Sequence, residues 1–89
     1  MFEINETYYT IGKINLENIR DVNNFVNFVS EYSTNFYLIS GRYIVDAKSI
    51  MGIFSLDLSK PVLFVSEEKI NDDFLQNFKA QNFKKGEEI

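Results

Sequence analysis

The sequence predicts an α+β fold, a four-stranded antiparallel sheet with three helices on one face. Three observations lead there. β-rich runs and runs at helical spacing follow one another in the order strand, helix, strand, strand, helix, strand, helix. The connections between them are short, which favours antiparallel neighbours packed as an open sandwich. Finally, 89 residues that are 45% apolar, with one Pro and four Gly, describe one globular domain over 1–89. Its structured part is expected over about 5–80.

Residues 7–14, TYYTIGKI, alternate loosely and are rich in Thr, Tyr and Ile, as strands are. Over 18–32, Val22, Phe25, Val26, Val29 and Tyr32 recur at helical spacing, leaving Phe28 at the margin of the stripe. Asn18 is a good N-cap, and Asp21 can bond back or complement the helix dipole. Residues 35–39 and 43–47 flank Ser40-Gly41-Arg42 and form a hairpin. A short helix is expected over 49–56. Residues 61–66, PVLFVS, form a strand with Pro at its first position, where no ladder donor is needed. Asn71, Asp72 and Asp73 cap and acidify a last helix, with Ile70, Phe74, Leu75 and Phe78 as its buried stripe. The period is lost beyond Ala80, so 81–89 is expected to fray.

Composition closes several functional classes. The chain has no cysteine, so neither disulfides nor thiolate metal sites are available, and a reducing cytoplasm is the expected compartment. No apolar run approaches the roughly 20 residues of a membrane helix, and the acidic start MFEINETYY is unlike a signal peptide. A net charge of −4 without a basic face argues against nucleic acid. The absence of histidine removes His-based acid–base catalysis, phosphohistidine chemistry and zinc triads. No constellation names a reaction, so the chain is not expected to be an enzyme or to hold a cofactor or metal. The pairs Glu67-Glu68, Asp72-Asp73 and Glu87-Glu88 are read as solvated acids and dipole complements.

One stretch stands out, DAKSIMGIFSL over 46–56. Ser49 is placed as an N-cap, its hydroxyl accepting from first-turn N–H groups. Behind it, Ile53 and Leu56 can enter the core. Ile50, Met51 and Phe54 lie within about 100° of one another on a different face. A helix apolar nearly all round is either buried or partly a docking site, and so short a helix beside a sheet is expected to dock a partner.

The segment AKSIMGIFSL resembles the signature around the regulatory serine of HPr, the phosphocarrier of the bacterial sugar phosphotransferase system. Lys48, Ser49, Ile50, Met51, Gly52, Ser55 and Leu56 match it. The order of elements is also that of HPr. The resemblance implies a phosphohistidine 31 residues before the serine, which is where Asn18 stands. The family has histidine, a small residue, arginine and proline there; this chain has Asn18-Ile19-Arg20-Asp21, so only the arginine matches. Asn18 cannot carry a phosphoryl group for transfer, and Asp21 is acidic where a phosphate needs positive charge.

The chain is similar in this respect to catabolite-repression HPr, which keeps only the serine. The resemblance implies phosphorylation at Ser49 by the HPr kinase, after which the phosphoprotein acts as corepressor for a transcription regulator. Ile50, Met51, Phe54 and Arg20 are the implied partner-binding residues. Phosphorylation would take the net charge from −4 to about −6 beside an apolar surface. Asp57, where the family has Gly, and Pro61 are further departures. The alternative is a scaffold domain that keeps the HPr fold and uses the 50–54 patch for an unrelated partner or itself.

Overall fold

The computed structural model describes residues 8–81 and 83. Its elements run β1 (Tyr9–Ile14), α1 (Ile19–Val29), β2 (Phe36–Ser40), β3 (Tyr43–Asp46), α2 (Ile50–Phe54), β4 (Val62–Ser66) and α3 (Asp72–Ala80). That is the expected βαββαβα order. The strands form one sheet in the order β1-β4-β2-β3, and every pair is antiparallel. The loose alternation of β1 has a structural cause: its pairing with β4 shifts register between Thr10 and Gly12, as at a β-bulge.

Local chemistry sets the boundaries. The β2–β3 hairpin turns through Gly41-Arg42, and Gly41 has φ 61°, a left-handed conformation that a side chain would oppose. Pro61 lies just before β4 and so takes no ladder position. All three helices begin on a side-chain cap. Asn18 Oδ1, Ser49 Oγ and Asn71 Oδ1 accept from the N–H groups of Asp21, Gly52 and Phe74, at 2.8, 3.0 and 2.8 Å. None of these helices ends on glycine; α1 closes with tight bonds from Glu31 N to Phe28 O and Tyr32 N to Val29 O.

The core lies between the sheet and the helices. Ile14, Leu38, Val62 and Phe64 from the strands meet Val22, Phe25 and Ile53 from α1 and α2, all almost fully buried. Aromatic rings knit the far end: Phe36 stacks on Phe74 at 5.1 Å, and Phe25 meets Phe64 edge-on at 5.0 Å.

Several expectations need correction. Phe28 is not marginal but buried, because α1 also faces α3 and Phe28 meets Phe74 and Phe78 there. Tyr32 lies beyond the end of α1 but still packs its ring on Phe74 at 4.9 Å. Of the α3 stripe only Phe74 is fully buried; Ile70 and Phe78 pack on the core partly exposed, and Leu75 is outside the core cluster. The core does not stop at 80, since Phe83 packs against Phe25, Phe28 and Phe78. Expectations for residues 5–7, for Glu87-Glu88 and for the rest of the tail lie outside the described residues. Among the described residues, no helix is long and apolar enough to cross a membrane.

Candidate functional site

The segment leading into α2 is held before the helix begins. Asp46 accepts from Lys48 N through Oδ1 at 2.9 Å and from Ser49 N through its carbonyl at 3.0 Å. Ala47 is buried and donates its N–H to the Phe36 carbonyl. The Lys48 ammonium donates to the Tyr32 carbonyl at 2.7 Å and sits 5.9 Å from the centre of the Phe36 ring. Lys48 therefore ties this turn to the chain leaving α1. Sequence reasoning matched Lys48 to a signature but missed that role, which depends on a partner 16 residues away.

Ser49 is partly exposed and uses its oxygen as the helix cap. Gly52 packs tightly against that cap. A Cβ at 52 would lie 3.2 Å from Ser49 Oγ and 3.3 Å from Val45 Cβ, so any side chain would press on the serine and β3. Further along, Ser55 donates its hydroxyl to the Gly52 carbonyl at 2.6 Å.

The faces of α2 divide as their spacing predicts. Ile53 and Leu56 are buried, while Ile50 is 41%, Met51 85% and Phe54 45% exposed. Three large apolar side chains thus stand in water directly behind Ser49. Isolated exposed hydrophobics are ordinary; three on one short helix are a candidate site.

The other helix start differs. Asn18 and Arg20 are exposed, and with Ile19 they line a shallow open depression. Asp21 caps in both directions: its N–H goes to Asn18 Oδ1, and its own Oδ2 accepts from Glu17 N at 3.0 Å. A carboxylate therefore already occupies the positive end of α1. Arg20 stands in the first turn of α1, on a helix that touches α2. Ile19 is 66% exposed and was not singled out from sequence, although an apolar residue directly after a cap was a usable signal.

Two acidic sites are more structured than simple solvation suggests. Glu67 Oε1 accepts from Asn35 Nδ2 at 2.8 Å, and Glu68 Oε1 accepts from the Thr34 hydroxyl at 3.3 Å. Both hold the approach to β2. Hydrogen bonds from the hydroxyl and N–H of Ser59 hold the Asp57 carboxyl below the usual carboxylate range. Among the described residues, no three His, Cys, Asp or Glu side chains gather as a metal site.

Fold and helix starts together define an open-faced sandwich of the HPr type. A solved structure agrees: the chain is similar to HPr-C-His from Thermoanaerobacter tengcongensis, with 25% identity and a TM-score of 0.59, over 82% of this chain and 84% of that one. No family model matches the chain, and no curated protein sequence matches it.

Proposed function

We propose that this protein is a regulatory, non-enzymatic relative of HPr, connected with the sugar phosphotransferase system but unable to act as a histidine phosphocarrier. It works through protein–protein contact at α2, switched by phosphorylation of Ser49. One observation carries this reading. A partly exposed serine caps a helix whose outer face is Ile50, Met51 and Phe54, all in water.

The chemistry is consistent with a switch. The Ser49 oxygen accepts from Gly52 N–H, so its own proton remains free to leave when the oxygen attacks a phosphoryl donor. The first turn of α2 holds no acidic residue, so added charge meets no carboxylate on its own helix. A dianion beside three apolar side chains changes which partner surface fits, without requiring the backbone to move. At Asn18 the reverse holds, because Asp21 repels a phosphate and the chain has no imidazole.

The test is incubation with the HPr serine kinase and ATP, followed by mass spectrometry. One added phosphoryl group is expected, mapped to Ser49 and absent from Ser49→Ala. If an HPr control is modified and this protein is not, the regulatory reading fails.

A further inference from the structure

Among the described residues, no carboxylate pairs with the Lys48 ammonium. The group is part-buried, donates to the Tyr32 carbonyl at 2.7 Å and has the Phe36 ring 5.9 Å away. Both partners are neutral. A cation held partly out of water beside neutral groups costs free energy unless another part of the molecule gains from it.

The gain lies at the end of α1. A helix leaves its last carbonyls without helical partners, and α1 has neither a basic residue in its last turn nor a glycine to close on. The chain beyond it turns back through bonds from Glu31 N to Phe28 O and from Tyr32 N to Val29 O. Lys48, 16 residues on from Tyr32, supplies the missing cation from outside the helix. Tyr32 is itself fixed, with its ring against Phe28 and Phe74 and its hydroxyl accepting from Asn77 Nδ2 at 3.0 Å.

Ser49 follows Lys48 directly. The two residues complete a tight turn in which Ser49 N donates to the Asp46 carbonyl at 3.0 Å. Consecutive Cα atoms stand about 3.8 Å apart, less than the four-carbon lysine stem can span. A phosphate on Ser49 therefore lies within the sweep of the ammonium, with the backbone left in place.

We propose that Lys48 is the countercharge for a phosphate on Ser49, and that in taking this role its ammonium leaves the Tyr32 carbonyl. The inference rests on the reading of Ser49 as a phosphorylated residue and adds a second consequence to it: modification removes the cation from the end of α1. A dianion offers the ammonium a full opposite charge, where a carbonyl offers only a dipole. The coupling is reciprocal, since whatever holds the ammonium at Tyr32 withholds it from the phosphate. Asp46 lies on the same turn, its Oδ1 accepting from Lys48 N at 2.9 Å, and it repels the phosphate. That repulsion acts with or without the ammonium, so it cancels when the parent is compared with Lys48→Met.

Phosphoserine placed at 49 during synthesis of the chain tests this without a kinase. A negative result here leaves the kinase experiment standing, and the converse also holds. In the unmodified protein, Lys48→Met should shift the carbonyl 13C resonance of Tyr32. Phosphorylation of the parent should shift it in the same direction, and phosphorylation of Lys48→Met should shift it no further. The second ionisation of the phosphate, ordinarily at about pH 6, is followed by 31P resonance. It should lie lower in the parent than in Lys48→Met, and Arg20→Gln should leave it where it is. The ammonium resonance of Lys48 should move between the two forms of the parent, a reading that requires no variant to fold. A Tyr32 carbonyl that ignores the phosphate, or responds equally without the ammonium, overturns the proposal. So does an unmoved Lys48 ammonium, or a phosphate ionisation that is the same in Lys48→Met or is set by Arg20 instead.

Discussion

The starts of α1 and α2 share one piece of geometry and differ in almost everything else. Both are capped by a side-chain oxygen that accepts from the N–H three residues on, at 2.8 and 3.0 Å. At Asn18 the first turn adds a carboxylate of its own, bonded back to Glu17. At Ser49 it adds isoleucine, methionine and glycine. One site has its positive pole already satisfied from within; the other leaves it available beside an apolar surface. A helix start is therefore not a function in itself. What the next three residues bring decides whether a second charge is opposed or accommodated.

The largest expected effect concerns how firmly each start is anchored. α1 buries five side chains and α2 only Ile53. Phe25→Ala should cost about 3–5 kcal/mol in urea unfolding, and Ile53→Ala about 2–4 kcal/mol. If Ile53→Ala costs under about 1 kcal/mol, α2 is not anchored as described and the comparison breaks.

A smaller effect sharpens the electrostatic contrast. Aspartate preserves the cap at either site. Ser49→Asp should leave stability within about 0.5 kcal/mol of the parent or raise it, whereas Asn18→Asp should lose about 0.5 kcal/mol through repulsion from Asp21. Thermal melts at low and high salt check this, because the difference should shrink when charge is screened. Equal responses at the two positions would remove the distinction drawn between them.

The smallest effect lies outside both helix starts and serves as a reference. Partial burial, and then the charges of Glu67, Tyr8 and Asp46, raise the Tyr37 hydroxyl above its ordinary value of 10.0. The unfolded chain ionises this group first, so its contribution to stability is complete below pH 10 and is lost as pH rises through the folded value. Alkaline titration of tyrosinate absorbance should show a late component that is missing in Tyr37→Phe. That variant should also show a shallower loss of stability above pH 10.

Much of this was legible in the sequence, for local reasons. The strand and helix order, the three caps, the glycine turn and the division of α2 into Ile53 and Leu56 against Ile50, Met51 and Phe54 all follow from periods and side-chain chemistry within a few residues. What escaped depended on contacts between distant parts of the chain. Phe28 is off the main stripe of α1 and is covered by α3 and Phe83. Lys48 acts through a carbonyl just beyond the end of α1, and Glu67 and Glu68 through Asn35 and Thr34.

Phe83 ties the end of the described chain back to Phe25 and Phe28 near its beginning. On the ribosome, α1 emerges well before this ring is made and must wait for it. Until then part of its inner surface has no permanent neighbour, so α1 cannot finish packing before residue 83 has left the exit tunnel. Stop codons placed a few positions upstream of residue 83 would thus remove core material rather than trim a loose end.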